Sequence, residues 1–305
     1  MSVERKMRKI LPGLTSRRSS VLLPYLLIAP LLLFIGGLAI YPTVLTFVKS
    51  FFIVNPISPP QRFAGLANYT ALFSDTEVIW SWVNTALYVV IGVLVSTLLA
   101  LVMAIGLWKQ FRGRAVVLAI LVLPWALPGI TEGIIWAWIY DPSFGVLNSV
   151  LHSLHLISHY HLWISGNRLA SIFFIELVQI WQMTPLSAIL ILASLQSIPL
   201  DLYDAAAVDG AGRWETLRRI TLPLIRPGIA IAVVESFIIS LNIFDQVYVL
   251  NGSSTTASSV MLETYNITFQ TLNFGQGYAM SFMAVLVTML VCLGLLKVIY
   301  RKVEF

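Results

Sequence analysis

Charge is what this sequence has least of. Only 11% of its 305 residues are charged against 58% hydrophobic, and the mean hydropathy is +0.86. A soluble domain carries about a quarter charged residues, so a soluble globular protein is excluded. Cysteine is scarcer still. Cys292 sits alone inside an apolar run, which excludes an internal disulfide scaffold and leaves the redox compartment unspecified. The few charges lean to a net +5 and a pI near 9.4. That excess fits the Lys/Arg bias of a membrane protein's cytoplasmic side, and nucleic-acid binding is not its natural reading.

What the chain does have is apolar runs of membrane length. A bilayer core of about 30 Å needs about 20 apolar residues at roughly 1.5 Å each. Six runs qualify: 21–41, 86–107, 115–138, 169–192, 228–250 and 278–296. With the backbone satisfied internally, each is expected to be a helix, which makes the fold class all-α integral membrane with six transmembrane helices. The N-terminal run follows a basic stretch as in a signal peptide. It is too long for an h-region and no small-x-small site follows, so it is expected to remain as the first helix.

The 19 Lys and Arg residues sort unevenly between these runs. Sixteen fall in the tail (Arg5 to Arg18), the second-to-third loop (Lys109, Arg112, Arg114), the fourth-to-fifth loop (Arg213, Arg218, Arg219, Arg226) and the C-terminus (Lys297, Arg301, Lys302). The opposite side keeps Lys49, Arg62 and Arg168. The positive-inside rule therefore puts both termini in the cytoplasm. Residues 1–20 form a basic cytoplasmic tail, which sets topology and could also meet anionic lipid, and 21–305 form the transmembrane domain.

Polarity divides the spans. Spans one, two and six contain no Asp, Glu, Lys or Arg, whereas spans three, four and five hold Glu132, Glu176, Glu235 and Asp245, with Gln179, Gln182, Asn242 and Gln246 beside them. A charge at mid-membrane costs at least about 2.5 kcal/mol on insertion scales, so these three helices should line something wet or protein-filled. Helical spacing gathers Trp125, Gly129, Glu132 and Trp136 on span three, and Glu176, Gln179, Gln182 and Met183 on span four. Acid, amide and indole together are the chemistry of sugar recognition: polar groups take hydroxyls while aromatic faces cover the ring. The competing reading is interhelical glue. Asp245 and Glu263 fall near the outer end of span five and beyond it, where water can reach them. Pro124 and Pro128 should break or kink span three.

All four histidines, His152, His155, His159 and His161, lie in the outer segment 139–168. The first three would share a helical face, which admits metal binding, but no Cys, Asp or Glu follows Asp141 there, and an interfacial helix carrying His and Tyr at headgroup level is the expected reading. No metal is therefore assigned.

The segment 198–227, IPLDLYDAAAVDGAGRWETLRRITLPLIRP, reads as two short helices joined at Gly210, a good left-handed stop after Asp209, with Pro223 closing the second. Ala205, Ala206, Asp209, Gly210, Ala211, Ile220, Leu222, Pro223 and Pro227 resemble, at matching spacings, the EAA loop of the membrane-spanning subunits of binding-protein-dependent ABC importers. Asp204 replaces the pattern's glutamate and Leu217 its aromatic. The resemblance covers nearly the whole chain and points to the carbohydrate branch, of the maltose and glycerol-phosphate type. Phe63, Gly65, Leu66, Asn68 and Tyr69 look like its outer-loop F-x-G-L-x-N-Y. LPWALPGITEGIIWAW looks like its third core helix, Trp181, Pro185 and LQSIP like its fourth, and FDQVYVLNGSS like the exit from span five, with Gly252, Ser253 and Ser254 in place of glycine-glycine-proline.

This resemblance implies a permease subunit of an ATP-driven sugar importer in a prokaryotic cytoplasmic membrane. Its partners would be a second homologous permease subunit, two ATPase subunits, an extracytoplasmic sugar-binding protein, the sugar and lipid. The hairpin between helices four and five, with Asp204, Ala205, Ala206, Asp209, Gly210, Ala211 and Pro223, would be the coupling element. This chain would bind no cofactor. It has no G-x-x-x-x-G-K-[ST] loop, so ATP and Mg belong to the separate ATPase and the chain is not expected to be an enzyme. Positions that touch sugar in the maltose importer's larger membrane subunit match Trp125, Gly129, Gln182, Met183, Ser236 and Ser240, with Asn242 close by, and Glu132 joins them from the stripe on span three. An ion-coupled secondary transporter using Glu132, Glu176 and Glu235 is the alternative; it gives no reason for the hairpin. An intramembrane enzyme lacks any H-E-x-x-H or G-x-S-x-G.

Overall fold

The computed structural model describes residues 17–57, 59–164, 167–252 and 254–299, and the side chains of those between 24 and 297. Most of the basic tail, together with Ser253, Arg301 and Lys302, lies outside the described residues. Helix α1 (Arg17–Ile35) passes through a π-helical turn at Gly36–Ile40 into α2 (Tyr41–Lys49). The apolar helix thus runs from Pro24 to Lys49, about two turns beyond the expected end at 41, and no residue of its most apolar stretch is buried. Only its far end docks, where the Phe47 ring lies 4.6 Å from that of Phe282. Two short strands, β1 (Phe52–Ile53) and β2 (Arg62–Phe63), pair antiparallel and lead into α3 (Ala67–Ser74).

Helix α4 (Thr76–Trp108) begins ten residues before the apolar run, because Asp75 caps it by accepting from the backbone N–H groups of Glu77 and Val78. At 1.5 Å per residue its 33 residues reach about 50 Å, well past a bilayer core. Its partner α8 (Arg168–Gln196), capped by Asn167, is the most buried helix of span length. Tyr88, Gly92, Ser96, Ala100 and Ala104 repeat every fourth residue along α4 and are all buried, forming a narrow edge that lets α8 approach. Apolar clusters close both ends of this contact. Tyr88, Ile172, Ile175 and Leu262 belong to one, and Ala104, Ile191, Leu195 and Ile225 to the other.

Two expected spans are not continuous. Span three is α5 (Arg114–Val122) and α6 (Gly129–Ile139), separated where Pro124 and Pro128 remove donors and Pro128 turns extended. Span five is α12 (Arg226–Leu241) and α13 (Asp245–Asn251), separated at 242–244 without any proline or glycine. Between α5–α6 and α8 lies α7 (Val146–Ser153). It ends before His155, whose φ is +57°, so the expected shared face of His152, His155 and His159 does not form. Among the described residues no group of three metal-ligating side chains assembles.

The hairpin segment contains α9 (Asp201–Val208), α10 (Arg213–Thr216), a π-turn at Leu217–Thr221 and α11 (Leu222–Leu224), which meets α12 at a bend of 67°. Helix α14 (Val260–Tyr265) and a π-turn at Asn266–Gln270 precede the last helix, α15 (Phe274–Ile299). Among the described residues four helices are long and apolar enough to cross a membrane alone, and five if the bent pair Arg213–Leu224 and Arg226–Leu241 counts as one.

Candidate functional site

The two helix breaks meet beside α8, and side chains around them make a pocket. A helix that stops leaves its last carbonyls without partners, and at membrane depth these must be met by protein or by a wet cavity. Side-chain amides meet two of them here, and a third adds to a carbonyl that the Asn242 backbone N–H already takes. Asn242 Nδ2 donates to Ile238 O at 2.7 Å, Gln179 Nε2 to Ile239 O at 3.0 Å, and Gln182 Nε2 to Leu127 O in the α5–α6 break at 3.4 Å. Gln246, in the first turn of α13, uses both amide hydrogens, one to Glu132 Oε2 and one to Gln182 Oε1, each at 3.1 Å. Gly129 lies against the Asp245 carboxylate so closely that a Cβ there would overlap it.

These groups enclose a pocket of about 250 Å³ lined by Gly129, Gln179, Gln182, Asn242, Asp245 and Gln246, with Ile239, Ile243 and Phe244 as its apolar wall. A larger groove of about 580 Å³ between α4, α5 and α8 is walled by residues such as Leu99, Ile120 and Trp181. Its only hydroxyl, Thr184, is already bonded to Ile180 O, so it offers little to a hydroxylated ligand.

The expected pathway residues therefore divide. Gly129, Gln182 and Asn242 line the pocket, and Glu132 stands behind Gln246, fully buried. Trp125 lies in the α5–α6 break, 47% exposed and outside the pocket lining. Met183, Ser236 and Ser240 are buried in the contact of α4, α8 and α12, where Ser187 donates to Glu235 Oε2 at 2.8 Å, Ser187 and Ser96 each lie 3.1 Å from Ser236, and Ser240 lies 3.8 Å from the Met183 sulfur. Asp245, whose place on a continuous span five would be the wet outer end, is in the pocket instead.

At the end of α4 marked by Trp108, the hairpin closes as a Schellman turn. Ala211 N–H donates to Ala206 O at 2.9 Å, Gly210 N–H to Ala207 O at 3.2 Å, and Gly210 has φ +79°. Ala206 is buried and the Tyr203 ring packs 4.8 Å from that of Trp108, while Asp204, Ala205 and Asp209 are exposed. Val208 is 88% and Trp214 71% exposed. Toward the opposite end of α4, Asn84 donates to Thr256 O and Ser258 O, Tyr88 to Ala257 O, and the Arg168 guanidinium sits 3.6 Å over the Trp80 ring. These bonds fasten the segment after α13 to α4.

The family model for binding-protein-dependent transport system inner membrane components matches residues 96–304. The trehalose/maltose transport system permease protein MalF of Thermococcus litoralis is 34% identical over 281 residues, covering 90% of this chain and 93% of the relative. The sulfoquinovosyl glycerol transport system permease protein SmoG of Agrobacterium fabrum is 34% identical over 290 residues, covering 92% and 91%. A chain of a bacterial alginate ABC transporter, solved in complex with an alginate pentasaccharide-bound periplasmic protein, superposes with a TM-score of 0.77 at 22% identity, covering 90% of this chain and 92% of that one.

Proposed function

The chain belongs to the inner membrane components of binding-protein-dependent transport systems, and on that premise we propose that it forms half of the translocation pathway of an ATP-driven sugar importer. It is a permease component and not an enzyme. The ion-coupled alternative has no support among its relatives, which are permeases of this transport class.

The observation that carries the reading is the hairpin. An apolar tip such as Val208 and Trp214 gains nothing from water and is suited to a groove on another protein. Its inner side is anchored on α4, so force applied at the tip is passed to the helix that packs along α8 and α12. Asp204, Ala205, Ala206, Asp209, Gly210, Ala211 and Pro223 form this coupling element. Its groove lies on one of two separate ATPase subunits, which carry ATP and Mg. A second homologous permease subunit supplies the other half of the pathway, and an extracytoplasmic sugar-binding protein delivers the sugar to the outer side. The alginate transporter, solved together with its pentasaccharide-bound periplasmic protein, supports such a delivery partner.

In this reading the six spans are α1–α2, α4, α5–α6, α8, α12–α13 and α15, with both termini and the hairpin in the cytoplasm. The charge distribution supports it, since Lys109, Arg112 and Arg114 follow the Trp108 end of α4 against which the hairpin packs. ATP-driven closure of the ATPases opens the pocket side outward, and hydrolysis resets it, a rigid-body alternation of two states. Trp125, Gly129, Glu132, Gln182 and Asn242 meet or position the sugar, and Met183, Ser236 and Ser240 form the packed contact that moves.

The test is reconstitution. The complex of this chain with the second permease and the ATPases, in proteoliposomes, should hydrolyse ATP several-fold faster with a sugar-loaded binding protein and accumulate that sugar. ATP-independent uptake by this chain alone, driven by an ion gradient, would defeat the proposal.

A further inference from the structure

The motif of Phe63, Gly65, Leu66, Asn68 and Tyr69 divides into residues that build its loop and residues that are left bare. Asn68, 5% exposed, donates through Nδ2 to Ser50 O at 2.7 Å and Phe52 O at 2.9 Å, and the Tyr69 hydroxyl lies 2.7 Å from Ser50 Oγ. Gly65 turns the chain at φ +54°. The backbone N–H of Gly275 donates to Val54 O, so the chain around β1 is held by the start of α15 as well as by the end of α2. Two apolar helices, Pro24–Lys49 and Phe274–Lys297, therefore end at one level. Each is longer than the roughly 20 residues that cross a bilayer core, so that level is a bilayer boundary. Phe63 and Leu66 take no part in the pinning and are 72% and 63% exposed. Phe73, two turns on from Leu66, is equally bare at 70%.

We infer that β1, β2 and α3 form a shelf in the headgroup layer of the leaflet away from the coupling hairpin, with Phe63, Leu66 and Phe73 dipping among the lipid chains and Lys49 paired with a lipid phosphate. The inference needs only that the chain is a membrane component, whatever it carries. An exposed apolar patch marks either a protein partner or a membrane. Here its position selects the membrane, because the patch is continuous with the ends of two apolar helices. Its charges agree. The chain has no Asp or Glu between Glu4 and Asp75, and Asp75 is occupied in capping α4. Lys49 is half-buried, with Nζ donating to Gln61 Oε1 and lying 5.8 Å from the centre of the Phe52 ring, which the Phe63 ring meets edge-on at 5.5 Å. A cation carried on an apolar stem among aromatic rings is how lysine reaches a headgroup layer from the bilayer side. Among the described residues Lys49 has no ion-pair partner, so its charge is free for a phosphate oxygen, to which an ammonium forms a charge-assisted hydrogen bond.

The test is spin-label accessibility in the complex of this chain with its partner subunits, reconstituted in phosphatidylcholine nanodiscs. Phe63→Cys and Leu66→Cys, each on a Cys292→Ser background, carry a nitroxide, and collisions with oxygen, which concentrates in lipid, are compared with those of a water-soluble nickel chelate. Both labels are expected to show an oxygen-to-nickel ratio several-fold above that of the free label in buffer, with or without the extracytoplasmic binding protein. Lys49→Glu, which sets a carboxylate against the phosphates, should lower the ratio at Phe63→Cys as the shelf rises toward water, and Lys49→Gln should lower it less. Ready access of nickel in every condition would make the face a water-facing one and overturn the inference. Nickel access that the binding protein blocks would make it that protein's docking surface, and exclusion of both reagents throughout would mean that another subunit covers it; either result overturns the inference. A ratio that Lys49→Glu leaves unchanged overturns the phosphate pairing. Co-purification of each variant with its partners confirms that assembly is intact.

Discussion

The carboxyl of Glu176 occupies the space that a side chain on Gly92 would need, so α4 and α8 cross there with only a hydrogen on the α4 side. Both residues are buried, and neither oxygen of Glu176 has a hydrogen-bond partner among the described residues. A Cβ on Gly92 would meet the carboxyl of Glu176, the hydroxyl of Ser240 and the terminal methyl of Met183, so these side-chain ends would have to turn away within a crossing held at both ends by the apolar clusters.

Gly92→Ala is therefore expected to lower the melting temperature of the purified complex, through overpacking worth about 1–3 kcal/mol. Combining it with Glu176→Ala should recover part of that loss, because the second change removes the nearest of the contested atoms while Ser240 and Met183 remain. A Gly92→Ala complex that melts with the native one would mean that α4 and α8 are not closely packed at this point.

The bridge made by Gln246 gives a second prediction. Gln246→Ala removes the only hydrogen bond to the buried Glu132 side chain among the described residues and leaves Gln182 Oε1 without its donor, at a cost of about 1–3 kcal/mol for each stranded group. Glu132→Gln keeps the shape and an acceptor for Gln246, so it should cost less. Thermal melting and uptake rates of the two variants, compared side by side, check the order. Equal losses would show that the bridge contributes nothing.

How legible these features were follows from how local their causes are. The turn at Gly210 needs only its own backbone and the carbonyls of Ala206 and Ala207, and the break in span three needs only Pro124 and Pro128, so both could be read from the chain. The break at 242–244 has no such mark. The Ile238 carbonyl keeps the backbone N–H of Asn242, and it is Gln179, from another helix, that takes the carbonyl of Ile239. Because that break is invisible in the sequence, Asp245 reads as the outer end of a straight helix. Periodicity also finds the polar face of span four without saying which part of it meets a cavity. Met183 shares that face with Gln179 and Gln182 yet is covered by the narrow edge of α4 at Gly92.

Coupling supplies the third prediction. Gly210 has open space around it, so a substitution there acts through the backbone alone: at φ +79° a β-branched residue is strained by about 1–3 kcal/mol, while Asn is tolerated. Gly210→Val should reduce sugar-stimulated ATPase activity several-fold with the complex still assembled, and Gly210→Asn should retain most of it. Undiminished stimulation in Gly210→Val would remove the hairpin from the coupling route.

The fourth concerns pH. Glu263 lies beyond span five, only 5% exposed, and its carboxyl is held above the ordinary glutamate value. Burial is the largest cause, the Glu77 and Asp75 charges add to it, and hydrogen bonds from Ser258 and Asn266 oppose it. A carboxyl raised in the folded protein binds a proton that the unfolded chain has already lost. Its contribution to stability is thus fully present below the unfolded value and is lost as pH rises through the folded one. The native complex should accordingly lose stability relative to Glu263→Gln as pH rises from about 4.5 toward neutral, since the amide cannot ionise among those acids. Glu77→Gln should shrink the effect without abolishing it, because burial remains. Melting curves of the three complexes across that window decide the matter: parallel pH profiles for native and Glu263→Gln would mean that the carboxyl is as well solvated in the folded protein as in the unfolded chain.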